Sequence, residues 1–217
     1  MIAGPPGTGR SMDFLAHWAM PADRPMTEYP KRLALQALSH GAVFALLVLG
    51  AYWLNEREQA GATGAALYLA ASLAFLIGLA LSHILHEWGH FLGARLGGAR
   101  LTVRDKISPL FFDFEFPANT PRQFLWMSAG GLSGNLLLLF FVSLCIDPAG
   151  LVLTALMAAV LGQLVFVVIL ELPVSLRVLA GQEPFSALTE HFGQGGPLFL
   201  RALVAGGATA ALVILLR

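Results

Sequence analysis

Five apolar stretches, separated by shorter polar segments, dominate the pattern of hydrophobic and polar residues along the chain. They cover residues 33–54, 64–98, 124–146, 150–172 and 197–216. A helix needs about 20 mostly apolar residues to cross the hydrocarbon core of a bilayer, and each stretch is about that long or longer. The pattern therefore predicts about five transmembrane helices in contact with a lipid bilayer.

A different pattern fills residues 99–122, between the second and third apolar stretches. From Phe112 to Phe116, phenylalanines alternate strictly with acidic residues, which is typical of a half-buried strand. Residues 101–104 are its expected partner strand, with the turn near Ser108. Two interpretations stay open: an amphipathic surface hairpin, or an edge strand to which an extended substrate adds. The predicted fold is an all-α polytopic membrane protein with a small membrane-associated β-hairpin after the second helix.

Composition supports a membrane protein and excludes several other classes. Of 217 residues, 57% are hydrophobic and 12% are charged, against about 45–50% and about 25% in soluble domains. The net charge of +0 gives no reason to expect a nucleic-acid partner. Because Cys145 is the single cysteine, no internal disulfide and no cysteine-based zinc cluster can form.

The chain divides into residues 1–32, a polar tail rich in proline and glycine, and residues 33–217, one membrane-embedded domain. Within that domain, residues 174–195 are expected to form a polar connection. Residues 4–11 nearly match a phosphate-binding loop, but Arg10 stands where the motif needs lysine and no strand precedes it. We therefore expect no nucleotide partner.

Basic residues predict how the helices are oriented, because cytoplasmic loops carry an excess of lysine and arginine. They concentrate in the tail and around the hairpin: Arg10, Arg24, Lys31, Arg32, Arg95, Arg100, Arg104, Lys106 and Arg122. This places the N-terminus in the cytoplasm of a multi-pass membrane protein, with a cell membrane as the expected location. Arg57, in the loop after the first stretch, and Arg217, at the end of the chain, are the basic residues left on the outer side.

The candidate chemistry lies near the end of the second apolar stretch, at His86, Glu87 and His90. Residues four apart lie on one face of a helix, so the two imidazoles can point at one ion. Glu87 can then reach a water on that ion. This is the HExxH arrangement of a zinc site with a general base.

The alternative is that these three side chains merely satisfy one another inside a helix bundle. Charged residues within a span are costly, about 2.5–3.5 kcal/mol each on insertion scales, and indicate function. Three at metal-site spacing favour the zinc interpretation. His83, one turn earlier, and His40, in the first stretch, are expected to be packed rather than to bind metal. A proton-relay channel is disfavoured, since it needs no glutamate at this spacing and the chain has no internal repeat.

Two motifs resemble the site-2 protease family, whose members are intramembrane zinc metalloproteases. Residues 86–98, His-Glu-Trp-Gly-His-Phe-Leu-Gly-Ala-Arg-Leu-Gly-Gly, are similar to its HExGH helix. Residues 130–135, Gly-Gly-Leu-Ser-Gly-Asn, are similar to its Gly-Pro-x-x-Asn motif, with Leu132 in place of proline. The resemblance spans about residues 75–172.

This resemblance implies roles for individual residues. His86 and His90 would bind zinc, Glu87 would be the catalytic base, and Asn135 would hold the substrate or the oxyanion. The reaction would be hydrolysis of peptide bonds in or near transmembrane segments of membrane-protein substrates. A membrane-associated strand after the HExGH helix, here within residues 101–116, is another family feature.

The third metal ligand departs from the family pattern. The family takes an aspartate from a Leu-Asp-Gly motif, but no aspartate follows Asp147. Glu171, an acid at the end of an apolar helix, is the best substitute, and Glu183 is the next candidate. Glu171 could equally be an interfacial carboxylate that faces water or pairs with Arg177. The alternative function is therefore a non-catalytic relative that binds client helices.

Overall fold

The computed structural model describes residues 29–145 and 150–216. Most of the predicted tail lies outside these residues, as does the segment 4–11 that resembles a phosphate-binding loop.

The described chain forms six helices and a two-stranded sheet. The helices are α1 (Tyr29–Gln59), α2 (Gly64–Leu96), α3 (Pro121–Cys145), α4 (Leu151–Leu179), α5 (Pro184–Phe192) and α6 (Gly196–Leu215). The strands are β1 (Leu101–Val103) and β2 (Phe112–Phe114), followed by a 3-10 turn at Phe116–Ala118. Helices α1, α2, α3, α4 and α6 are long and apolar enough to cross a membrane. The protein is a multi-pass membrane protein, and the predicted fold class is confirmed.

The end of α4 differs from its prediction. The apolar pattern placed that end at Leu172, but the helix continues past Pro173 to Leu179. A proline removes one backbone hydrogen bond of the helix. Beyond it, Val174 and Val178 are buried in a cluster with Phe124, so packing keeps the last turns helical. The segment predicted as a polar connection therefore holds the end of α4 and all of α5.

Helix α2 is the central element, and glycines let it lie directly against α3. A Cβ atom on Gly89 or Gly93 would collide with the backbone of α3, and one on Gly130 would collide with the backbone of α2. Such close approach through small residues is typical of helix packing in membranes. It also sets the ring of His90 against Gly131, in the space that a Cβ there would fill.

The hairpin packs on α2 through aromatic side chains. Its strands are antiparallel, with Leu101 opposite Phe114 and Val103 opposite Phe112. Phe111, just before β2, is fully buried and contacts the rings of Trp88 and Phe91 on α2. The sheet is therefore anchored within one turn of the His86–His90 segment.

Helix α1 holds the turn of this hairpin through three polar residues, spaced four apart on one face, that we call the α1 clasp: Arg32, Gln36 and His40. Arg32 pairs with Asp105 in the turn. The amide of Gln36 is fully buried and donates to the carbonyls of Lys106, at 2.7 Å, and of Arg104, at 3.3 Å.

The third clasp residue links the turn to α2. The indole N–H of Trp88 donates to Nδ1 of His40 at 3.1 Å, because an indole can only donate. Nε2 of His40 therefore carries the proton and donates to the carbonyl of Ser108 at 3.1 Å. The prediction of His40 as a packed histidine agrees with this position.

We expect Gln36→Leu to destabilise the protein by about 1–3 kcal/mol, because it leaves the partly buried carbonyls of Arg104 and Lys106 without their donor. Thermal unfolding in detergent measures the loss, and amide hydrogen exchange should rise in residues 104–108. Ser39→Ala is the matched control, since the Ser39 hydroxyl donates an exposed hydrogen bond within α1, to the carbonyl of Leu35. Unchanged exchange in the turn would contradict the clasp.

Candidate metal centre

The two helix-spaced histidines of α2 meet a carboxylate from α4. Nε2 of His86 lies 2.8 Å from Oε1 of Glu171, and Nε2 of His90 lies 3.2 Å from the same oxygen. The two Nε2 atoms are 2.9 Å apart. His86 is buried, while the side chain of Glu171 keeps 28% of its surface exposed. Three candidate metal-binding atoms thus converge on one point.

The partner of His90 fixes which ring nitrogen faces this point. Nδ1 of His90 lies 2.9 Å from the carbonyl oxygen of Met127 on α3, so this nitrogen carries the proton and donates. In a neutral ring, Nε2 then has a free lone pair directed at His86 and Glu171. Metal-binding histidines are typically oriented by such a bond to a backbone carbonyl.

His86 has a corresponding support from Asn135, also on α3. The side-chain amide of Asn135 is fully buried and lies 3.1 Å from Nδ1 of His86, with Nδ2 as the nearer atom. Its Oδ1 atom is buried without a hydrogen-bond partner. As placed, the amide N–H donates to Nδ1, and a neutral His86 then carries its proton on Nε2. A half-turn of the amide, which exchanges two atoms of similar shape, would let Oδ1 accept from Nδ1–H instead and would leave Nε2 of His86 free to bind a metal.

The donor set fits a zinc ion. Zinc bonds of about 2.0–2.1 Å in a tetrahedron put ligand atoms about 3.3 Å apart, and the observed separations need to widen by only a few tenths of an ångström. Two imidazole nitrogens with facing lone pairs repel each other unless a proton or a cation lies between them. Three protein ligands leave a fourth position for water or substrate, as catalytic zinc sites do.

Glu87 lies beside this cluster and is not one of the converging donors. Its charge interacts with those of His86, His90, Glu171 and Arg104. Arg104 comes from the hairpin, where its guanidinium forms an ion pair with Asp113 at 2.6 Å. The metal-ligand candidates and Arg104 of the sheet are therefore all close enough to Glu87 to interact with its charge.

The structure distinguishes between the two acids considered for the third ligand. Glu171 joins the histidines, and Arg177, its expected alternative partner, pairs with Glu190 at 3.1 Å. Oε2 of Glu171 is buried and has no hydrogen-bond partner. The interfacial interpretation of Glu171 does not fit these contacts.

Glu183 caps the N-terminus of α5 instead. It accepts hydrogen bonds from the backbone N–H groups of Phe185 and Ser186, at 2.9 and 2.7 Å. Slight burial alone would raise the pKa of Glu183, but these N–H groups hold its pKa below the ordinary value. Glu183 therefore caps α5 and lies outside the cluster of His86, His90 and Glu171.

The sequence predicted the three donors and named Asn135, although for a different role, but it gave no indication of the Met127 carbonyl that orients His90. His83, also considered, is not part of the cluster. The role of Met127 is carried by its backbone carbonyl, so its residue type gives no signal. Gly131 does carry a signal in the sequence. Two adjacent glycines, Gly130 and Gly131, indicate where α3 can approach α2 closely enough for the ring of His90 to fit between them.

In comparisons with known proteins, no family model, no curated protein and no solved structure matches this chain. The case for a metal centre therefore depends on the geometry of the described residues.

We expect Asn135→Leu to weaken zinc binding about 10–100-fold, because His86 loses the group that orients its ring. Titration of the purified protein against a competing zinc chelator measures the affinity. Ser133→Ala is the matched control on the same helix, since Ser133 is exposed. Equal affinities for wild type and Asn135→Leu would contradict the orienting role.

Proposed function

We propose that the protein is an intramembrane zinc metalloprotease of the site-2 protease type. The observation that carries this proposal is the convergence of His86, His90 and Glu171, with Glu87 on the adjacent helix position. The spacing of His86, Glu87 and His90 along the sequence predicts two metal ligands and a base. The carboxylate from α4 supplies the third ligand that a catalytic zinc normally has.

Bound zinc would lower the pKa of a coordinated water to about 7 and polarise the substrate carbonyl. Glu87 takes a proton from the attacking water as the new carbon–oxygen bond forms. It then returns that proton to the peptide nitrogen as the carbon–nitrogen bond breaks. The products are one carboxylic acid and one amine, and Glu87 ends in its starting state.

The role of Asn135 follows from its contacts. The family resemblance assigns it to the substrate or the oxyanion, and that role stays a prediction. Complete burial against His86 favours a positioning residue, which acts on the reaction through the histidine. The orientation of the two imidazoles would then depend on α3 at both Asn135 and Met127.

The substrate would be a transmembrane segment of another protein. A helix in a bilayer hides its carbonyls in hydrogen bonds, so the segment must be unwound locally before attack. Each strand of a two-stranded sheet has one unpaired edge, to which an extended segment can add. The loop charges favour a cytoplasmic N-terminus, which would put the metal centre toward the cytoplasmic side of the membrane. A cell membrane stays the expected location.

We expect Glu171→Gln to lower zinc affinity by more than about 100-fold, because losing a direct ligand should exceed the effect of losing an orienting group. Zinc content after dialysis against a weak chelator measures this loss. Glu183→Gln should retain zinc, since Glu183 caps α5. Equal zinc content in both variants would contradict the assignment of Glu171.

We expect Glu87→Gln to bind zinc as wild type does but to cleave at least about 100-fold more slowly, because it lacks the base. The assay uses proteoliposomes with fluorescent single-span peptides and detects fragments by mass spectrometry. Equal cleavage by Glu87→Gln and wild type would disprove the catalytic role of Glu87. If wild type also leaves these peptides intact, binding of client helices without cleavage becomes the better explanation.

A further inference from the structure

An apolar groove lies between α3 and α4 and leads to the metal centre. Its volume is about 240 Å³. Cavities of about 150 Å³ admit a benzene molecule, so this groove can hold one side chain as large as phenylalanine. Its principal lining residues are Leu125, Ala129 and Leu132 on α3, with Val168, Leu172 and Ser175 on α4.

The groove is continuous with the metal centre through one residue, Glu171. This residue lines the groove, while its Oε1 atom contacts His86 and His90. A molecule in the groove therefore lies against the side chain of a metal-ligand candidate. Ser128 and Ser175 are the only other polar side chains in the lining, so the groove suits an apolar group.

We propose that this groove binds an apolar side chain of the substrate, next to the bond that is cleaved, and selects leucine or phenylalanine over alanine. The inference depends on the proposed function, because it assigns the occupant to a polypeptide positioned at the metal centre. Ala129 is the key position, since its methyl group is small and exposed at the groove.

Packing rather than escape from water drives this selection. A side chain that leaves lipid gains little from the hydrophobic effect, because lipid tails are as apolar as leucine. The gain comes from filling the groove. Apolar pockets separate substrates that differ by one methylene by about 10–200-fold in water, so we expect a smaller preference of about fivefold here.

The test measures binding rather than turnover. Zinc-loaded Glu87→Gln protein in nanodiscs is titrated with three fluorescent single-span peptides of equal length. They carry alanine, leucine or phenylalanine at the same six consecutive positions beside a proline that loosens the helix. The leucine and phenylalanine peptides should bind about fivefold more tightly than the alanine peptide.

Filling the groove should remove this preference. Ala129→Phe, added to Glu87→Gln, should weaken binding of the leucine peptide about fivefold and leave the alanine peptide unaffected. Leu172→Phe fills the groove from α4 and replaces the first variant if that one fails to fold. Ser133→Phe is the control, because it adds the same ring to an exposed position of α3 outside the lining. Unchanged zinc content establishes that each variant is folded.

Two results would overturn the proposal: equal binding of all three peptides, or a preference that persists in the filled variants. If a lipid chain occupies the groove instead of a peptide side chain, all three peptides should bind equally. Cleavage of the same peptides by wild-type protein tests the proposed function separately. Selective binding without cleavage would support the groove as a binding site for peptide side chains and would contradict the proposed protease function.

Discussion

The candidate metal centre depends on backbone contact between α2 and α3. Gly89, Gly93 and Gly130 lie where any Cβ atom would force the two helices apart. The same approach brings the carbonyl of Met127 to His90 and the amide of Asn135 to His86. Separating the helices by the width of a methyl group would break both hydrogen bonds. These glycines therefore determine the orientation of both imidazoles, although none of them is a candidate metal-binding residue.

Because α3 orients both rings from one side, α4 can supply the third donor from the other. Glu171 contacts the Nε2 atoms of His86 and His90. The Nδ1 atoms of both rings already have partners on α3. Such an arrangement is costly inside a membrane unless a cation or a proton stabilises the facing lone pairs. A metal ion held by the three donors would remove this cost, as would a proton shared among them.

Local sequence patterns predicted the spans, the hairpin and the positions of His86, Glu87 and His90, because each depends on periodicity within one segment. Features that depend on packing between segments were harder to predict. The continuation of α4 past Pro173 follows from buried contacts of Val174 and Val178, which a hydropathy pattern cannot contain. Choosing between Glu171 and Glu183 required knowing that one faces α2 and the other caps α5. The role of the Met127 carbonyl could not be predicted from the sequence, because every residue type has a backbone carbonyl.

Glu171, which stands in place of the aspartate that the proposed function would imply, connects the candidate metal centre with the groove. Its extra methylene lengthens the apolar stem between the helix backbone and the carboxylate. The carboxylate turns toward the histidines, while the residue as a whole lines the space between α3 and α4. A group bound in that space would contact the same side chain that is the candidate third metal ligand. Substrate binding and metal geometry would therefore be coupled through Glu171, without any movement of α2.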